Sequence, residues 1–243
     1  MSDLSDRQKK ILEAIIKEYV EMAEPVGSEN LVGKYGLNVS SATVRNEMVN
    51  LTEMGFLAKP HTSAGRIPTV LGFRLFIKEL MKEETLAVVS EVAIKQRLWD
   101  SRRDLDLLLR CAVSALSDET RNLSFAVTPD HRIFYSGACH LLNNAEFWDI
   151  DVARTALRLL DEMESISGML SRIPQEQELG MLLGEELGYP SLNNCGTIVV
   201  HFQTPRGGVG SLAVFGPVRQ NYGRVIPILR YFRDLVNELG RGW

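Results

Sequence analysis

The sequence predicts an α+β protein: an N-terminal winged helix-turn-helix followed by an α/β unit with a mainly antiparallel sheet. Three observations carry this. Short segments with capping residues and helical apolar spacing fill residues 5–54. Two short extended segments, each holding a proline, follow at 56–60 and 66–68 around a small polar tip. Beyond residue 105, apolar helical stretches alternate with β-rich runs that turn back at 128–131 and 205–208. A slim helix followed by a hairpin is the shape with which a winged helix-turn-helix enters DNA. The helix fits the major groove, and the hairpin reaches flanking phosphates or the minor groove.

Taken in order, Ser5-Asp6-Arg7-Gln8 is a capping-box pattern. The helix it opens carries Ile11, Leu12, Ile15, Ile16, Tyr19 and Val20 at helical spacing, and Pro25 and Gly27 stop it. Ser28 is placed to cap a short second helix over 29–34 that ends at Tyr35-Gly36. Ser40 or Ser41 caps a third helix with Val44, Met48 and Leu51 inward, Thr43, Arg45, Asn46 and Asn50 outward, and Gly55 as its stop. Phe56–Pro60 and Arg66–Pro68 read as hairpin strands, where edge prolines are tolerated. Phe73–Met81 reads as a helix, and residues 82–98 continue in helical composition. Leu105–Leu116 is a strongly apolar helix, and Leu123–Val127 and Arg132–Ser136 are strands about a turn. Val152–Met163 is helical, with Ala156, Leu159, Leu160 and Met163 inward. Thr197–Phe202 and Ser211–Phe215 form a hairpin, and Tyr222–Leu239 closes the chain as an amphipathic helix. Residues 175–187 have helical composition, but their glycines weaken a helix by about 1 kcal/mol each.

The bulk composition suits a globular protein of two domains: 243 residues, 45% hydrophobic and 24% charged. The longest uncharged apolar runs fall well short of a membrane span. Asp3, Asp6, Arg7, Lys9 and Lys10 break up any signal-peptide core, so a cytoplasmic protein is expected. Cys111, Cys139 and Cys195 are scattered and fit reduced thiols, read as small core residues. The net charge of −4 argues mildly against a nucleic-acid partner, but the distribution softens the objection. Residues 1–39 hold five basic and seven acidic side chains, whereas 40–82 hold six basic and three acidic, a local +3. Local charge sets phosphate attraction within a Debye length of roughly 8–10 Å. The bias is small, so tight binding calls for two copies.

The candidate DNA-contacting residues are Ser40, Ser41, Thr43, Arg45 and Asn46 on the third helix, and Lys59, His61, Ser63 and Arg66 on the hairpin. Hydroxyls and backbone N–H groups at a helix start favour a phosphate. Arg pairs with guanine and Asn with adenine in the major groove. Arg66 is the leading candidate for a minor-groove or phosphate contact. The plainer alternative is an ordinary solvated helix with a few polar residues, which the adjoining hairpin and the three-helix spacing disfavour. Enzyme chemistry has little support. His61, His131, His140 and His201 lack metal-ligand spacing, so no metal or cofactor is expected. Gly207-Gly208-Val209-Gly210 lacks the lysine and context of a phosphate loop. No nucleophile, base or carboxylate pair stands out.

Taken as a set, specific motifs give a resemblance. Ser5–Gln8, Glu24–Ser28, Ser40–Met48, Gly55-Phe56, His61–Thr69 and Gly72–Arg74 closely resemble the heat-inducible transcription repressor family HrcA. In the second half, Leu142-Asn143-Asn144-Ala145-Glu146-Phe147 is similar to the family's Leu-Asn-x-Pro-Glu-Phe stretch, with alanine for proline. Gly216-Pro217-Val218-Arg219-Gln220-Asn221-Tyr222, with Arg224-Val225, is similar to its Gly-Pro-Thr-Arg-Met-x-Tyr-x-Arg-Val signature.

The resemblance implies a winged helix-turn-helix over 1–82, a helical linker over 83–104 and a GAF-like domain over 105–243, with residues 179–184 as a strand. It implies repression of chaperone operons by a homodimer bound to an inverted-repeat operator in double-stranded DNA, relief by heat, and support from a chaperonin. The alternative is a regulator whose GAF-like domain answers to a small-molecule ligand. One departure is visible. The family is usually longer, with an inserted dimerising domain between the equivalents of Val127 and Phe134, where this chain has a short turn. Helices in 70–117 or a face of the GAF-like domain are then expected to take over dimerisation.

Overall fold

The computed structural model describes residues 4–61, 64–204 and 207–240. The chain forms two units: residues up to 82 together with 219–223, and 83–218 together with residues from 224 on.

The first unit begins with α1 (Asp6–Met22). Ser5 caps it, accepting from the Gln8 amide while the Gln8 side chain accepts from the Ser5 amide, a complete capping box. Ile11, Leu12, Ile15 and Ile16 are buried, and Tyr19 and Val20 are half-buried. Next come α2 (Ser28–Tyr35) and α3 (Ser41–Glu53). Ser28 does not cap α2; it is the first helical residue, and Gly27 holds the cap position without a side-chain bond. Gly36 ends α2 in the left-handed conformation that glycine tolerates best. Strands β1 (Leu57–Ala58) and β2 (Ile67–Pro68) form a short antiparallel hairpin. A single bridge adds Val26 beside Arg66, with reciprocal 2.9 Å amide–carbonyl bonds. Helix α4 (Val70–Leu75) starts earlier than its apolar spacing suggests, because Thr69 caps it through the Gly72 amide. It runs into a π-helical turn over Phe76–Leu80. Phe73 is fully buried, with Tyr19 and Tyr222 at ring distances of 6.4 and 5.9 Å.

In the second unit, α5 (Val88–Trp99) and α6 (Leu105–Thr120) precede a five-stranded sheet. Its strands are β3 (Leu123–Val127), β4 (Ile133–Ser136), β5 (Gly180–Leu183), β6 (Cys195–Gln203) and β7 (Val209–Pro217). They lie in the order β4-β3-β7-β6-β5, and every pairing is antiparallel. Both faces are covered. On one, Leu123, Phe125, Ala213 and Phe215 join a core with Phe147, Ala156, Leu159 and Ile166. The last four come from α8 (Ile150–Asp161), α9 (Met163–Leu170) and the turn before them, which follows α7 (Ala138–Leu141). The alternate residues Ser124, Ala126, Leu212 and Val214 are equally buried on the other face, where α6 packs on β3 and β4. Such double cover explains why these strands read as continuous apolar runs rather than alternating ones. Residues 180–183, helical by composition, are strand β5. A Cβ at Gly180 would lie 2.1 Å from Ile173, so the strand needs glycine there. Helix α10 (Tyr222–Leu239) closes the chain.

Two local expectations need correction. Residues 82–87 lack helical structure, and Cys139 is exposed rather than a core residue; Cys111 is half-buried and Cys195 fully buried. Burial pushes the Cys195 thiol up to about 12, so it is unreactive near neutrality. Among the described residues, no helix is long and apolar enough to cross a membrane, and no cluster of three or more potential metal-ligating side chains occurs.

Candidate nucleic-acid interface

The first unit presents α3 and the hairpin side by side. Ser40 caps α3: its hydroxyl accepts from the Thr43 amide at 3.2 Å and lies 3.0 Å from Thr43 Oγ1. Two of the candidate hydroxyls are thus engaged with each other at the helix start. Ser41 is half-buried, and Arg45 and Asn46 are exposed on the outward face. Val44, Met48 and Leu51 are buried beneath them, as the i, i+4, i+7 spacing predicts.

The inward face also carries Glu47, only 6% exposed. Its carboxylate accepts from Arg7 Nε at 2.8 Å and from the same guanidinium's Nη2, from Gln8 Nε2 at 3.1 Å and from Asn50 Nδ2 at 3.3 Å. Burial alone pushes this carboxyl up. The bonds from Arg7, Asn50 and Gln8 outweigh it and hold Glu47 below the usual carboxylate range. The network ties α3 to the first turn of α1, so the two residues of the capping box region that look solvent-facing in the sequence also set the pose of α3. Helical periodicity places Glu47 inward, three residues after Val44 and four before Leu51, but its charge hides it among the apolar positions.

The hairpin is fixed from two directions. Arg66 Nε donates to Thr52 Oγ1 at 2.9 Å, which pins its guanidinium near the end of α3. Its backbone pairs with Val26. A Cβ on Gly65 would lie 2.2 Å from the Val26 carbonyl oxygen, so this close approach requires glycine. Lys59 and His61 are exposed, and Ser63 lies outside the described residues.

A groove of about 680 Å³ runs between these parts. Ser41, Arg45 and Asn46 line it from α3, and Lys59 and Arg66 from the hairpin. Ser40, Thr43 and His61 are not among its lining residues. The start of α2 forms a further wall with Ser28, Glu29 and Asn30, which sequence reasoning did not single out. Arg45, Lys59 and Arg66 give the groove a positive balance against Glu29. It contains no nucleophile–base pair.

Comparison with known proteins gives the family. Residues 37–226 match the family model described as the HrcA protein C terminal domain. The chain is 25% identical to the heat-inducible transcription repressor HrcA of Symbiobacterium thermophilum over 338 residues, covering 98% of this chain and 99% of that one. That span exceeds the 243 residues present, so the relative carries chain without a counterpart here. The repressor of the same name from Geobacter sulfurreducens is 26% identical over the whole of both chains. Over 126 residues, 52% of this chain and 34% of the relative, identity to that of Chloroflexus aurantiacus rises to 45%. A crystal structure described as a hypothetical protein shares the fold, with a TM-score of 0.84, 18% identity and 99% of each chain covered. The chain belongs to the HrcA family of heat-inducible transcription repressors, which are negative regulators of transcription and not enzymes.

Proposed function

We propose that the first unit is a winged helix-turn-helix that reads an inverted-repeat operator in double-stranded DNA, with α3 in the major groove and the hairpin as wing. The observation that carries this is the groove in which Arg45 and Asn46 of α3 face Lys59 and Arg66 of the hairpin. Arg45 and Asn46 read base edges. Ser41 and the first-turn amides of α3 take a phosphate, while Ser40 and Thr43 hold that turn in shape. Lys59, His61 and Arg66, together with Ser63, contact the flanking backbone or the minor groove.

The second unit is read as GAF-like and as the part that joins two copies in the cytoplasm. A local charge of +3 is modest for a lone DNA-binding unit. Two units joined in a dimer span half-sites about 34–36 Å apart and gain effective concentration over one. Heat then needs only to dissolve the dimer for the operator to be lost.

Replacing Arg45 by Ala is expected to weaken specific binding by about 1–3 kcal/mol and to relax base preference at one position. A fluorescence titration with duplex from upstream of a chaperone operon checks this, and unchanged affinity overturns the assignment. Operator binding should also fall with temperature in step with dimer loss. A dimer that persists where binding has gone contradicts the heat mechanism.

A further inference from the structure

The second unit carries a polar recess at one end of its sheet. On the face that packs against α8 and α9, Phe125, Ala213 and Val199 lie abreast on β3, β7 and β6, and all three are buried. The next row on that face is Val127, Ser211 and His201. Two of its three side chains are polar, so the apolar core stops there. This row lines a cavity of about 520 Å³, together with the end of α9, residues 173–176 and the β3–β4 turn. Two serine–histidine pairs belong to it. His201 Nδ1 lies 3.1 Å from Ser211 Oγ across the β6–β7 ladder, and His131 Nδ1 lies 3.4 Å from Ser167 Oγ of α9. Each serine occupies one ring nitrogen and leaves the other. His201 Nε2 is buried and has no hydrogen-bond partner. A buried polar atom in that state is rare in folded proteins and asks for an explanation. Leu170, Ile173, Pro129 and Val209 give the same cavity apolar walls. Apolar walls with a few convergent polar groups are what a small-molecule site presents, and such sites run to about 300–1,000 Å³.

We infer that this recess binds an uncharged, ring-bearing small molecule whose edge carries a hydrogen-bond donor beside an acceptor, a class that includes nucleosides and nicotinamide. Size, charge and hydrogen bonding each select that class. A cavity of about 150 Å³ holds a benzene ring, so the recess has room for a bicyclic ring with a substituent, far more than a bridging water fills. Among the described lining residues Glu176 is the only formal charge, and it is exposed. No described lysine or arginine of the lining neutralises a phosphate or carboxylate there. Burial holds the His201 ring below its ordinary pKa, against the pull of the Pro174 and Gly210 carbonyls and Glu176, so near neutrality it is uncharged. A neutral imidazole paired with a serine hydroxyl exchanges donor and acceptor roles by tautomer, so its Nε2 presents either one. A ligand edge with both groups satisfies either state. The binding is independent of the operator reading above.

Thermal unfolding of the full chain with millimolar nicotinamide, adenosine or uridine tests this, with nicotinate as the charged counterpart of nicotinamide. At least one neutral probe is expected to raise the unfolding temperature by about 2–4 °C, the shift from a ligand at several times its Kd. Nicotinate should give a smaller shift than the best neutral probe. His201→Phe removes both ring nitrogens and should abolish that probe's shift. Ser211→Ala should weaken binding at least fivefold in a calorimetric titration and stands in if His201→Phe misfolds. His140→Phe changes a histidine outside the recess and should leave binding unchanged. No shift with any neutral probe, nicotinate binding as tightly as the best of them, unchanged binding in both His201→Phe and Ser211→Ala, or an equal loss in His140→Phe overturns the site.

Discussion

The first unit is oriented by charge and the second by apolar burial. In the first, Glu47 is buried among Arg7, Gln8 and Asn50, and Lys34 reaches Glu18 and Glu21 at 2.7 and 2.6 Å on the rim of α1 and α2. In the second, both sheet faces are lined by residues with almost no exposure, and the buried hydroxyl of Thr197 bonds back to the Val214 carbonyl within the sheet. The difference follows from what each surface must leave open. A helix that offers Arg45 and Asn46 to solvent has only one face left for packing, so directional polar ties fix its rotation. A doubly covered sheet presents no such open face, and its strands are held by their ladder bonds and by burial on both sides.

The largest expected effect lies in the second unit. Phe215 is 2% exposed, 6.1 Å from the Phe147 ring, and central to the sheet core. Phe215→Ala should remove about 3–5 kcal/mol of stability in urea unfolding. If the second unit joins the dimer, this variant also releases operator DNA at a lower temperature, although Phe215 is far inside the sheet.

A middle effect is expected at Glu47. Its removal to Ala strands the polar partners around it and should lower stability by about 1–3 kcal/mol. Because the folded carboxyl sits below its unfolded value, its contribution is fully present above the unfolded pKa and is lost as the pH falls through the folded one. Urea midpoints of wild type and Glu47→Gln, compared between neutral and strongly acidic pH, should therefore converge as acid is added. A constant gap would show that Glu47 acts by shape and not by charge.

Smaller still is the cap of α3. Ser40→Ala removes the acceptor for the Thr43 amide and should lower stability by about 1 kcal/mol. Thermal unfolding reads this directly. Lys59→Ala should leave folding untouched, reduce affinity across all DNA sequences and lower the salt slope of binding by about one. A loss confined to one operator position would instead make Lys59 a base-reading residue.

Much of the first unit was legible because its signals are local. Ser5 with Gln8, Ser40 and Gly55 fix helix ends by bonds that span three or four residues. The apolar stripes of α1 and α3 then fix which face is buried. What escaped was long-range. Val26 pairs with Arg66 forty residues later, and Arg7 reaches Glu47 across the same separation, so no local window contains both partners. In the second unit the strands were visible as β-rich runs, but their order was not. Helical composition at 175–187 conceals β5, which only the family resemblance marks as a strand at 179–184, because the strand is held by pairing with β6. Trp148 and Ile150 look like core residues by type, and only the fold places them outside.

The turn between β3 and β4 has a further meaning. The Thr128 amide meets the Arg132 carbonyl at 3.0 Å, Thr128 Oγ1 accepts from the Arg132 amide, and His131 completes the turn in the left-handed region. Only three exposed residues, Pro129, Asp130 and His131, lie beyond that closure. Where two strand ends are clasped this closely, chain can leave and re-enter the sheet at neighbouring points, so a whole folded module can be spliced in or out without shifting a single rung of the ladder. The β3–β4 turn is thus a natural seam, at which the domain content of the protein can change while both units keep their sequence.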